Sequence, residues 1–204
     1  MISIYSLKPR FQNLLRPLVK RLAERGVTAN QVTLAAAAVS LLVALVVAWQ
    51  AAHLWVFVLI PLWMFLRMAL NAVDGMLARE FGQQSKLGAY LNELSDVVAD
   101  SALYLPFALI PGVSSLLVVG VVLVAVFSEY AGVLGLMVRA SRRYDGPMGK
   151  SDRAAVFGIL GAGVAIGLLD SRWINIILAL VLALLIYTIY NRVRRGLAEA
   201  ADGA

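Results

Sequence analysis

The feature that most constrains this chain is a series of long apolar runs, at about 31–50, 54–78, 87–110, 113–138, 153–169 and 173–190. Each approaches the roughly 20 residues an α-helix needs to cross bilayer hydrocarbon, with 153–169 at the short end. Soluble domains are about a quarter charged. Here 15% of the residues are charged and 61% are hydrophobic. A chain of 204 residues has too little interior to hide that much apolar surface from water. The expected fold class is all-α integral membrane, with six transmembrane helices in a single domain over 1–204. Helices suit this solvent because they satisfy their own backbone hydrogen bonds.

Ahead of the first run, residues 4–25 read as an amphipathic helix. Phe11, Leu14, Leu15, Leu18 and Leu22 recur at helical spacing, and Lys8, Arg10, Arg16, Lys20, Arg21 and Arg25 fill much of the rest. A basic helix of this type lies in the membrane interface; the alternative is a soluble helix packed on a partner. Pro9 suits a first turn, Pro17 predicts a kink or a break, and Gly26 a stop. Thr28 with Gln31 predicts a capping box at the start of the next helix. No cleavable signal peptide is expected, because the first 27 residues lack an apolar core.

The basic residues predict orientation. Of 18 Lys and Arg, all but Arg67 and Arg172 fall in the N-terminal segment, the loops after the second and fourth runs, or the C-terminal tail. By the positive-inside rule both termini are cytoplasmic; the expected location is a membrane of the bacterial inner type. The net charge of +6 then reports topology and attraction to anionic lipid, and no soluble basic face for nucleic acid is visible. The absence of cysteine excludes disulfides, thiol catalysis and Cys-based zinc sites. A single histidine, His53, makes a Ser-His-Asp triad or a His-rich metal site a poor expectation; it reads as an interfacial structural residue.

Ionisable groups inside spans are expensive and are functional candidates by default. Arg67, Asn71 and Asp74 share one face of the second span, and Asn92, Asp96 and Asp100 one face of the third. Both sets approach the cytoplasmic ends. Asn71, Asp74, Asn92 and Asp96 form a set of hard oxygen donors suited to Mg²⁺ or Mn²⁺, with substrate phosphates completing the shell. The alternative is a set of intramembrane ion pairs. For Arg67, Asp100 and Glu129 that alternative carries equal weight, with Asp100 and Glu129 as candidate partners for Arg67. Gly75, Ala78 and Gly88 keep the surroundings small enough for helices and a ligand to approach.

The pattern Asp74-Gly75-x-x-Ala78-Arg79, then Gly88, Asn92 and Asp96 at four-residue spacing, resembles the signature of the CDP-alcohol phosphotransferases. Two positions depart: Asn71 and Asn92 stand where that family has aspartates. The resemblance implies six spans, an interfacial N-terminal helix, a homodimer and a cytoplasm-facing site. It implies a CDP-linked lipid donor such as CDP-diacylglycerol, a small hydroxyl acceptor and CMP as product. Carried over, Asp74, Gly75, Ala78, Arg79 and Gly88 bind CDP. Asp74 and Asp96, with Asn71 and Asn92 as neutral donors, hold the divalent cation, and Asp96 accepts the acceptor's proton. Two lost negative charges should weaken cation binding, above all for a second ion.

On the acceptor side, Lys150 and Arg153 lie at the start of the fifth span and could hold an anionic group; plain positive-inside charge explains them equally well. Family members with phosphorylated acceptors carry basic residues in this region, which implies an acceptor phosphate at Lys150 and Arg153. A catalytically weak lipid- or nucleotide-binding protein is the alternative function, motivated by Asn71 and Asn92. An ion-coupled transporter is a third, disfavoured by the unbroken motif spacing.

Overall fold

The computed structural model describes the backbone of residues 4–202 and side-chain surroundings over 11–202. The side chains of Lys8, Pro9 and Arg10, assigned above to the first helix, lie outside that range. Among the described residues the fold is wholly helical. Its helices are α1 (Ile4–Glu24), α2 (Ala29–Trp49), α3 (Leu59–Glu80), α4 (Lys86–Tyr104), α5 (Ser115–Leu134), α6 (Lys150–Ala165) and α7 (Ser171–Asp202), with short 3-10 turns at Leu54–Val58, Leu105–Leu109 and Gly135–Val138.

Four stretches are long and apolar enough to cross a membrane: Ala29–Trp49, Leu54–Glu80, Ser115–Val138 and Ser171–Asp202. The predicted runs 87–110 and 153–169 are not among them. In the first, α4 carries Lys86, Glu93, Asp96 and Asp100. In the second, α6 has only 16 residues, about 24 Å at 1.5 Å per residue. Leu45 of α2, Phe65 of α3, Leu116 of α5 and Leu180 of α7 are largely exposed. Faces of that kind are stable only in an apolar solvent, and the protein is integral to a membrane.

Local signals explain the helix ends. Thr28 and Gln31 form the expected reciprocal cap: the Thr28 N–H donates to Gln31 Oε1 at 2.9 Å and the Gln31 N–H to Thr28 Oγ1 at 3.2 Å. Gly26, at φ 75°, closes α1, and the Val27 N–H turns back to the Leu22 carbonyl at 3.0 Å. Pro17 does not divide α1, which runs unbroken through it; the residue lies on the exposed side, where water can satisfy the carbonyl it leaves unpaired.

The chain forms two compact units. The first comprises the chain up to Leu42 with Leu62–Ala99. Its core joins Val19 of α1, Ala29 and Val32 of α2, and Val73, Met76 and Leu77 of α3, with Leu15 and Leu22 packed alongside. Leu14 and Leu18 of α1 stay exposed, so the apolar residues of α1 divide between this core and the surroundings. Arg16 ties α1 to the end of α3 through two hydrogen bonds to Glu80, at 3.2 and 3.0 Å. Within the helices, Trp63 Nε1 donates to Ser40 Oγ at 2.8 Å, satisfying both groups away from water.

The second unit comprises Val43–Pro61 with Asp100–Ala204. Val118, Val121 and Val122 of α5 and Ile174, Leu178 and Val181 of α7 are buried there. Phe107 meets Phe57 and Phe157 edge-on at 5.1 and 5.3 Å, and Tyr104 stacks on Phe157 at 3.8 Å. Edge-on aromatic contacts add about 0.5–1.5 kcal/mol beyond area burial.

Candidate functional site

A cavity of about 620 Å³ opens in the first unit. Three elements build it. The start of α2 contributes Ala29, Asn30 and Thr33; the last turns of α3 contribute Asp74, Gly75, Ala78 and Arg79. The connection to α4 and its first turns contribute Gln83, Gln84, Ser85, Lys86, Gly88, Ala89 and Asn92. All five residues expected to contact a nucleotide (Asp74, Gly75, Ala78, Arg79 and Gly88) line this one space. Of the expected cation ligands, Asp74 and Asn92 line it, whereas Asn71 and Asp96 are not among the lining residues.

Asp74 is buried and accepts a hydrogen bond from the Thr33 hydroxyl at 2.8 Å. The two motif glycines fit close neighbours. A Cβ on Gly75 would lie 2.9 Å from Arg79 Nη2, so the guanidinium folds back over the glycine one turn earlier. A Cβ on Gly88 would lie 2.9 Å from Asn30 Oδ1 and 3.0 Å from Ser85 Oγ, so α4 approaches α2 there. Arg79 and Lys86 bring positive charge to the rim, while Asn30, Gln84 and Asn92 add amides. The arrangement suits a polyanion carrying a hydrogen-bonding base.

Gln83 locks two of these elements together. Its Oε1 accepts from the Ala29 N–H at 2.7 Å, and its Nε2 donates to the Val27 carbonyl at 3.3 Å. Sequence reasoning missed Asn30, Thr33, Gln83, Gln84 and Ser85, and read Lys86 only as a topology signal. Helical spacing could not have found Thr33, which meets Asp74 from another helix, 41 residues away.

Asp96 faces Arg67. Arg67 Nη2 donates to Asp96 Oδ1 at 3.0 Å and to the Asp96 carbonyl at 3.3 Å. Among the described residues no group of three or more His, Cys, Asp or Glu side chains is placed to hold a metal. The carboxylate and amide at the cavity fit one hard cation that shares its shell with ligand oxygens. They do not fit a pair of cations, which needs more anionic oxygen.

The second unit holds a separate charge cluster. Glu129 accepts from Arg153 at 3.0 Å and from Arg142 at 3.2 Å, and Arg192 lies 3.4 Å from the same carboxylate. Asp100 stands 3.5 Å from Arg153, which is 2% exposed. Arg153 also donates to the Met148 carbonyl at 3.3 Å. Lys150 is half-buried at the start of α6, where the Gly149 N–H donates to Asp152 Oδ2 at 2.9 Å. Asp145 bonds Arg143 and Arg195, each at 2.8 Å. Burial would raise the Asp145 carboxyl pKa, but the two guanidiniums outweigh it and hold the group below the usual carboxylate range.

Comparison with known proteins agrees with the cavity's chemistry. A model of the CDP-alcohol phosphatidyltransferase family matches residues 26–187. The chain is 45% identical over 201 residues to the inner membrane protein YnbA of Escherichia coli, covering 98% of this chain and 100% of that protein. It is 36% identical over 99 residues to a phosphatidylinositol phosphate synthase of Streptomyces avermitilis, covering 48% of this chain and 39% of that one. It is 33% identical over 104 residues to a phosphatidylinositol phosphate synthase of Corynebacterium glutamicum, covering 51% and 45%.

Proposed function

The chain belongs to the CDP-alcohol phosphatidyltransferase family, and from that premise we propose that it transfers a phosphatidyl group from a CDP-linked lipid to a hydroxyl acceptor, releasing CMP. The observation that carries this reading is the single cavity lined by Asp74, Gly75, Ala78, Arg79 and Gly88. A role in phospholipid synthesis is supported by the family and by the two synthases similar over half of the chain. CDP-diacylglycerol is the proposed donor.

In this reading Arg79 and Lys86 meet the pyrophosphate, and the amides around them meet the nucleoside. Thr33 holds Asp74 toward the ligand. The family generally depends on a divalent cation; here Mg²⁺ or Mn²⁺ would be held by Asp74 and Asn92, with Asn71 contributing from α3. When bound, such an ion offsets charge on the pyrophosphate and on the departing CMP. Asp96 is the proposed group that takes the acceptor's proton. Arg67 holds it in position through the contact at 3.0 Å. Lys150 and Arg153 are proposed to contact a phosphorylated acceptor, which must compete with Glu129 for the Arg153 guanidinium. The rest of the reading is six spans with both termini cytoplasmic, α1 in the interface, and a homodimer.

Asn71 and Asn92 favour a second reading, a lipid- or nucleotide-binding protein with little turnover. CMP release separates the two. Purified protein is given CDP-diacylglycerol, Mg²⁺ or Mn²⁺, and a panel of free and phosphorylated alcohols. The transferase reading expects CMP and lipid product from at least one alcohol, with Asp74→Ala and Asp96→Ala each at least 100-fold slower, in line with the usual weight of a positioned acid or base. CDP binding without CMP release from any acceptor would leave the binding reading.

A further inference from the structure

We propose that Arg67 serves as a built-in cation of the site, occupying the Asp96 carboxylate so that the protein takes one divalent ion and not two. The inference rests on the transferase reading and concerns the same site. Arg67 is 5% exposed on a helix long and apolar enough to cross a membrane, where an ionised side chain is retained only with a counter-charge. Its Nη2 reaches both the side-chain oxygen of Asp96, at 3.0 Å, and the Asp96 carbonyl, at 3.3 Å. Two contacts from α3 to one residue of α4 fix the guanidinium in place. A guanidinium does not give up its proton in a protein. A divalent ion brought to the same carboxylate would stand beside that permanent positive charge, in surroundings that screen it poorly.

The two amides point the same way. Arg67, Asn71 and Asp74 lie on one face of α3, and Asn92 and Asp96 on one face of α4. Each asparagine offers a neutral oxygen where a second ion would want an anionic one. Asp74 lines the cavity, where a diffusible cation would enter, and Asp96 accepts from the Arg67 guanidinium.

The test counts ions. Full-length protein in detergent is saturated with CDP and titrated with Mn²⁺; bound Mn²⁺ per chain is read by electron paramagnetic resonance, and CDP binding by calorimetry. The wild type is expected to bind one Mn²⁺ per chain. Arg67→Lys, which keeps the charge, is expected to bind one as well. Arg67→Gln combined with Asn92→Asp is expected to bind two. Two ions or none on the wild type overturns the proposal, as does a single ion on the folded Arg67→Gln/Asn92→Asp protein. If that protein does not fold, Asn71→Asp/Asn92→Asp with Arg67 intact decides: one ion supports the proposal and two overturns it. A wild type that binds no CDP overturns the transferase reading itself.

Discussion

Gly75 and Arg79 stand one helical turn apart, and the guanidinium of the second occupies the space that a side chain on the first would need. Gly75→Ala therefore has opposed effects. Alanine favours an exposed helix by about 1 kcal/mol over glycine, and the neighbour it displaces is the end of a flexible side chain. Thermal stability is expected to hold or rise, while CDP affinity measured by calorimetry falls several-fold as Arg79 is pushed from its place. Thr33→Val removes the donor from Asp74 and leaves a buried carboxylate less satisfied, a loss of about 1.5–3 kcal/mol for a hydrogen bond to a charged group. The expected result is a weaker CDP and Mn²⁺ site, and Thr33→Ser should restore it. At this scale the motif residues were legible because Asp74, Gly75, Ala78 and Arg79 share one helix, so spacing alone gathers them. Thr33, Gln83 and Asn30 were not, because their partners come from other parts of the chain.

The helix that departs most from its predicted bounds is α7. The apolar run ends near residue 190, but the helix continues to Asp202. At 1.5 Å per residue its 32 residues span about 48 Å, well beyond the roughly 30 Å of bilayer hydrocarbon. The extension holds the segment 139–149. Glu199 accepts from the Ser141 N–H at 2.9 Å and pairs with Arg143, and Arg195 bonds Asp145; just inside the run, the Met148 N–H donates to Thr188 Oγ1 at 3.1 Å. Hydropathy cannot register such polar contacts, so the run appears to stop where the helix does not. Asp145 makes the tether pH-dependent. Its pKa is depressed in the folded protein, so its contribution is complete above the ordinary carboxylate pKa of about 3.9. That contribution is lost as the pH falls through the lower folded value. Hydrogen exchange of residues 139–149 is expected to be unchanged from neutral pH to about pH 5, after correction for intrinsic rates, and to rise only below about pH 4. Asp145→Asn should reproduce the looser segment at neutral pH.

For the whole molecule, the absence of native cysteine allows a direct check of topology, since any introduced thiol is the sole one. With both termini cytoplasmic, Ala201→Cys in intact cells should resist a membrane-impermeant maleimide and react after permeabilisation, while Arg172→Cys should react in both. Labelling of Ala201→Cys in intact cells would reverse the proposed orientation. The sequence by itself determined the solvent, the helical class and the family, because apolar run length and four-residue motif spacing are properties of the chain read locally. The tertiary structure decided the partners. It brought Thr33 to Asp74, turned Asp96 toward Arg67, and directed Arg142, Arg153 and Arg192 onto Glu129. Spacing offers Asp100 and Glu129 as candidate partners for Arg67, and the structure adds Asp96, because depth along a helix is all that spacing reports. Which carboxylate a buried guanidinium meets depends on how neighbouring helices are rotated and how far they are displaced along their axes, and packing sets both.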